Sequence, residues 1–233
     1  MGKHRQLDTV KSANVIQFVE EMTELFRRKI GNKKNPVIII HGGYGHNNLG
    51  DDALLLTTTK IVRQIYPDAT IVSLEMIKYV MSCDGYIISG GGLSHSYYHK
   101  NKLRYLFEPR GKFSHLMTIF QNIRRVPMVI FFCGYHAIPD YVQKSIMKIA
   151  LKHIPMLGVR DSYSGEFLSQ IGINNYVIGY DPALLYEDYN ISNDKKILEK
   201  YNMTDKNYVL LNVREVVNEE ISKQAIEEIA SRL

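Results

Sequence analysis

Four short stretches combine residue types that bind or activate polar substrates. The first is the glycine-rich turn His41-Gly42-Gly43-Tyr44-Gly45-His46-Asn47-Asn48-Leu49-Gly50-Asp51-Asp52. It leaves an apolar run and enters a helical one, so its backbone N–H groups can face a ligand. It is neither of the familiar phosphate loops. A dinucleotide fingerprint from Gly43 needs glycine where Asn48 stands. A P-loop from Gly45 to Gly50 needs Lys and then Ser or Thr where Asp51 and Asp52 stand. Two carboxylates repel phosphate and suit hydroxyls. Asp51 is well placed for hydroxyl or sugar binding, and is equally a candidate helix cap; the two roles can coexist. Gly45, Asn48 and Gly50 are the substrate-binding candidates of this turn.

The second stretch, Ser89-Gly90-Gly91-Gly92-Leu93, follows a buried apolar run. Three consecutive glycines are costly in chain entropy and make sense where backbone must approach a ligand or a facing helix closely. The third is Gly158-Val159-Arg160-Asp161-Ser162, in which Arg160 either binds an anion or forms a structural pair with Asp161. Asp161 or Ser162 is expected to cap the next helix. The fourth is Tyr180-Asp181-Pro182-Ala183, where Asp181 is a ligand candidate or a turn cap.

The elements that must position these residues read as an α/β protein. Val15, Val19, Met22, Phe26 and Ile30 recur at helical spacing and Gly31 stops the pattern. This predicts an N-terminal amphipathic helix packed on the domain or on a partner. Membrane-surface binding through Arg27, Arg28, Lys33 and Lys34 is the alternative. From Pro36 onward, strands and helices alternate. Strands are predicted at Val37–His41, Ala69–Leu74, Tyr86–Ser89, Met128–Phe132, Met156–Val159 and Tyr176–Ile178. Helices are predicted over 51–66, 113–124, 140–153 and 164–171. Short, wholly apolar strands separated by helices indicate a doubly wound, Rossmann-like parallel sheet. Ligands then sit at the carboxyl ends of its strands. The expected organisation is a helix and linker over 1–35, an α/β domain over 36–190, and over 191–233 a connection and the beginning of a truncated second α/β domain.

The other chemistries fit less well. There is no Gly-x-Ser-x-Gly elbow and no Cys-x-x-Cys, and His95 with His99 lacks the intervening Glu of a zinc helix. Cys83 and Cys133 sit in or beside apolar runs, where reduced cysteine acts as a small hydrophobe. Between Ser94 and Phe113, cations alternate with aromatic residues. That composition suits an exposed loop and helix, or a saccharide-binding surface. A net charge of +5 suits anionic substrates or an acidic membrane surface and is too small to argue for nucleic acid. No apolar span and no signal peptide are apparent, so a cytoplasmic location, extending to the inner membrane face, is expected.

In order and context, Gly-Tyr-Gly-x-x-Asn-Leu-Gly-Asp-Asp (43–52), Ser-Gly-Gly-Gly-Leu (89–93), Val-Arg-Asp-x-x-Ser (159–164) and Asp-Pro-Ala (181–183) resemble the polysaccharide pyruvyl transferase family. The resemblance covers roughly Val37 to Arg214. It implies a fold like the N-terminal half of a two-domain, GT-B-like enzyme. It also implies transfer of a pyruvyl group from phosphoenolpyruvate to saccharide hydroxyls in glycan biosynthesis, usually forming a ketal. Within it, Asp51 is the candidate base. Gly45, Asn48, Gly50, Gly90, Gly91, Gly92, Arg160, Asp181 and Arg214 are candidate substrate-binding residues. Arg214 would face an inter-domain cleft. Phosphoenolpyruvate is the implied donor, and no metal or nucleotide cofactor is required. The implied acceptor is a saccharide or lipid-linked saccharide; peripheral membrane contact and homo-oligomer formation remain open. Three features depart from the family. Only Glu75 to Cys83 separate the second and third strands, Cys133-Gly134-Tyr135 replaces a Gly-Pro pair, and a C-terminal Arg-x-His has no counterpart. A GT-B-like glycosyltransferase using a nucleotide sugar, or a non-catalytic glycan-binding relative, are the competing expectations.

Overall fold

The computed structural model describes residues 2–44, 48–73, 76–91, 109–136, 141–185, 199–201 and 203. The chain divides into two compact units, Met1–Glu187 and Asp188–Leu233. The first holds helix α1 (Gly2–Ile30), strand β1 (Val37–His41), α2 (Leu49–Ile65), β2 (Thr70–Val72), the one-turn helix α3 (Met76–Tyr79), β3 (Gly85–Ile88), α4 (Pro109–Ile123), β4 (Met128–Cys133), α5 (Tyr141–Leu151), β5 (Met156–Val159), α6 (Ser162–Gln170) and β6 (Val177–Ile178). A 3-10 turn, Pro182–Leu185, follows. The strand and helix expected over 208–233, and the aromatic and cationic tract before residue 109, lie outside the described residues.

The six strands form one parallel sheet in the order β2-β1-β3-β4-β5-β6. Alternate side chains of each strand point to opposite faces, and both faces are buried, which is why the strands read as unbroken apolar runs. On one face Ile39, Tyr86, Ile88, Met128 and Ile130 pack with Met147 and Leu151 of α5 and Phe167 and Leu168 of α6. On the other, Ile38, Ile40, Ile87, Val129 and Phe131 pack with α1 and α2. The doubly wound α/β expectation therefore holds.

Helix α1 covers the sheet rather than lying apart from it. Val15, Phe18, Met22, Leu25 and Phe26 are buried, and the Phe18 ring lies 4.7 Å from that of Phe132. Gly31 ends the helix at φ +70°, in the left-handed region that costs side-chain-bearing residues about 1 kcal/mol or more. The Tyr66 hydroxyl reaches the carbonyls of Phe26 and Gly31, each at 3.1 Å, and fastens that end to α2.

Two local features were not legible in the hydrophobic pattern. The short β2–β3 interval is filled by α3 and tied to α4. Gln121 Nε2 donates to the Val80 carbonyl at 3.0 Å, and Arg124 Nη2 donates to that of Met81 at 2.7 Å. The second feature is a bulge in β4. The β4–β5 register shifts between Ile130 and Cys133, and Phe132 adopts φ +47°, a conformation that is rare for a bulky residue. Phe131 and Phe132 consequently both pack on the α1 face, while Cys133 turns to the other.

Candidate active site

All strands are parallel, so the turns after β1, β3, β4, β5 and β6 share the carboxyl edge. The strand order reverses direction between β1 and β3, which makes the crevice between those two strands the topological switch point. The turns on either side of it are the two glycine-rich ones, and they are in intimate contact. A Cβ added to Gly42 would sit 2.3 Å from the Ser89 carbonyl oxygen, and one added to Gly90 would sit 3.0 Å from Gly42 Cα. The Tyr44 hydroxyl folds back and donates to the same Ser89 carbonyl. Below it the Ser89 hydroxyl bonds that of Thr58 in α2 at 2.7 Å. Because the obstacle to Gly42→Ala is backbone, the turns must separate. The expected cost is roughly 1–3 kcal/mol, read as a lower urea midpoint at unchanged slope.

Asp51 sits in the first turn of α2, and a capping role for it is corrected by the geometry. Helix α2 starts at Leu49, and Asn48 is the cap: its Oδ1 accepts from Gly50 N at 3.1 Å. Asn48 wins because it stands where the backbone is still extended, at φ −106° and ψ 102°, as a cap residue must be. The Asp51 carboxylate is left to span the crevice. Its Oδ2 accepts from Asn48 Nδ2 at 2.7 Å, and its Oδ1 faces Gly91 N at 3.4 Å.

On the far side of Gly91 stands Arg160. A Cβ added at Gly91 would lie 3.3 Å from Asp51 Oδ1 and 3.9 Å from Arg160 Nη1, so the two groups flank one glycine. Gly134, at the end of β4, makes room for the guanidinium: a Cβ there would meet Arg160 Nε at 2.5 Å. Gly134 N also donates to the Gly91 carbonyl at 2.8 Å, locking the β3 and β4 turns together.

Arg160 is paired twice. Its Nη1 contacts Asp181 Oδ2 at 3.2 Å, and its Nε lies 3.5 Å from Asp161 Oδ2. The expected pairing with Asp161 is thus the longer of the two. Asp161 is mainly occupied as the α6 cap, accepting from Ser164 N at 2.7 Å. Asp181 likewise has two duties, since its Oδ1 accepts from Ala183 N at 3.0 Å and shapes the turn after β6. Of the sequence-derived candidates, Asn48, Gly50, Asp51, Gly90, Gly91, Arg160 and Asp181 all lie on this edge; Gly45, Gly92 and Arg214 lie outside the described residues.

The edge also holds groups that sequence reasoning passed over. His41 ends β1 with its Nδ1 2.5 Å from the Tyr86 hydroxyl, and its ring meets that of Tyr86 edge-on. His115 of α4 is the neighbouring titratable group. His41 and His115 are only 8% and 6% exposed. Burial lowers both imidazoles to about 4, and His115 adds to the effect on His41. Cys133, at the end of β4, is pushed up to about 12 by burial, so it is an inert thiol. The signal for this cluster was present: His41 and Tyr86 both end or occupy runs whose other members are wholly apolar.

A family model described as polysaccharide pyruvyl transferase matches residues 48–231. No curated protein matches the chain.

Proposed function

The chain belongs to the polysaccharide pyruvyl transferase family, and from that premise we propose that it moves a pyruvyl group from phosphoenolpyruvate to a saccharide hydroxyl. The observation that carries the reading is the Asp51 carboxylate spanning the switch-point crevice, freed from capping by Asn48. The reaction requires a proton on the methylene carbon of the donor, which makes the adjacent carbon electrophilic. A sugar hydroxyl then adds to that carbon while its proton passes to a base. Phosphate leaves, and a second hydroxyl closes the ketal. Asp51 suits the base: it is part-buried, held by two donors, and placed where ligands bind in sheets of this type.

Charge divides the labour. At the described edge the guanidinium of Arg160 is paired with the carboxylates of Asp161 and Asp181, and Asp51 and Asp52 stand in the first turn of α2. Such a surface favours neutral hydroxyls over a multiply charged donor. This half therefore receives the acceptor sugar. Arg160 holds Asp161 and Asp181 in place at its rim, and the donor anion depends on further cations, with Arg214 the first candidate. Incubating the protein with phosphoenolpyruvate and a panel of saccharides tests the reaction. Release of inorganic phosphate together with a pyruvyl gain in acceptor mass is expected. A hexose gain from a nucleotide sugar, with phosphoenolpyruvate untouched, would overturn it.

A further inference from the structure

Helices α4 and α5 pack side by side on one face of the sheet, and each exposes large apolar side chains on its outer surface. Leu116 and Ile123 of α4 are 58% and 74% exposed, and Tyr141 and Ile149 of α5 are 81% and 58% exposed. An open depression between the helices is lined by Ile119, Ile123, Ile149, Asn122 and His153. In sequence, Tyr141, Ser145, Ile149 and His153 repeat every fourth residue and form one row along α5. Lys144, Lys148 and Lys152 repeat at the same interval and form a second row beside it. From residue 109 to 159 the sequence has seven lysines and arginines and a single acid, Asp140. The apolar stripe shared by the two helices thus has a cationic border on the α5 side, formed by Lys144, Lys148 and Lys152. Scattered exposed hydrophobes need no explanation, but a contiguous patch does.

We infer that the α4–α5 face docks on an anionic lipid bilayer. The complementarity is specific to that partner. Apolar side chains on such a face reach the boundary between headgroups and acyl chains, Tyr141 is of the type that settles at the interface, and the lysine row meets lipid phosphates. A second copy of the chain would leave the lysine row without an anionic partner or, with the two-fold axis across the helices, set it against its own copy. No helix among the described residues is long and apolar enough to cross a membrane, so the contact is peripheral. Both helices begin at the edge that carries Asp51. A bilayer on this face therefore brings that edge beside the headgroups, where a lipid-linked saccharide presents its sugar. That consequence rests on the proposed reaction; the docking itself does not.

Vesicle flotation tests the inference without reference to catalysis. The protein is expected to float with vesicles containing phosphatidylglycerol and not with phosphatidylcholine alone, and to be released by added salt. Each lysine near an anionic surface is worth roughly fivefold in partitioning, so the combined Lys144→Gln, Lys148→Gln and Lys152→Gln variant should bind roughly a hundredfold more weakly. Ile123→Ser with Ile149→Ser should weaken binding independently of salt. All five side chains are at least partly exposed, and an unchanged melting temperature would confirm intact folds. Absence of flotation with phosphatidylglycerol vesicles at low salt would overturn the inference, as would binding indifferent to both sets of substitutions. Concentration-dependent sedimentation abolished by Ile149→Ser would instead assign the face to a second copy.

Discussion

Resistance to urea is expected to collapse as the pH falls from about 6.5 to about 4, and the His41–Tyr86–His115 cluster is the cause. Each histidine, when unfolded, takes a proton near its ordinary value of 6.5. Each folded imidazole, being buried, refuses one until about 4. Between those values the unfolded chain binds more protons than the folded one, so stability falls as the pH falls and the loss is complete below about 4. One histidine costs about 1.4 kcal/mol per pH unit in that window, or about 3 kcal/mol across it. The two together cost roughly 7 kcal/mol, comparable with the whole margin of a typical domain, roughly 5–15 kcal/mol. Urea midpoints measured across this range supply the test. His115→Leu keeps an apolar filling under α4 and removes one of the two titrations, so its midpoint should depend on pH about half as steeply. A slope identical to that of the unmodified protein would place the acid sensitivity on other groups.

The same cluster illustrates what a sequence pattern conveys and what it hides. Short apolar runs such as Val37–His41 and Met128–Cys133, bounded by turn residues and alternating with helices, announce a sheet buried on both faces. The N-terminal helix was equally legible, since Val15, Met22 and Phe26 recur at its period. Strand order was not: periodicity fixes which residues are buried and says nothing about which strands are neighbours, so the β1/β3 crevice emerges only from the pairing. The Phe132 bulge was hidden for a related reason. Phe131 and Phe132 are both apolar, and an extra residue in an all-apolar run leaves no break in the pattern.

The candidate site shows the same division. Glycine clusters marked the correct turns because close backbone approach demands them, as Gly42 against Ser89 and Gly134 beneath Arg160 demonstrate. Assigning partners was incomplete where several residues share a chemistry: the Arg160–Asp161 pair forms, but it is not the shortest contact of that guanidinium. Asn48, Asp51 and Asp52 can all cap a helix, and only the backbone angle at Asn48 selects it. Asp161 adjoins Arg160 in sequence, yet Asp181, more distant along the chain, makes the shorter contact because parallel strands bring their ends together.

That resolution of roles sets the expected kinetics. Because Asn48 caps α2, Asp51→Asn keeps the cap residue, and its side-chain oxygen can still serve one of the two donors that now reach the carboxylate. What it removes is the capacity to take a proton. Positioned general bases contribute about 10²–10⁴-fold, so turnover should fall by that factor while the Michaelis constant for phosphoenolpyruvate stays nearly constant. Arg214→Lys should behave in the opposite way. A guanidinium offers a planar fork that grips carboxylate or phosphate through two bonds, and an ammonium offers a point charge. Hydrogen bonds to charged groups contribute roughly 1.5–3 kcal/mol, so kcat/KM for the donor should drop by roughly tenfold to a hundredfold, chiefly through KM. The pair of variants, assayed with donor varied at saturating acceptor, thus separates proton transfer from anion binding. Full turnover in Asp51→Asn would reduce that carboxylate to a tie between the β1 and β3 turns. Undiminished donor affinity in Arg214→Lys, with the fold intact by circular dichroism, would move the search for the donor's cation to another residue.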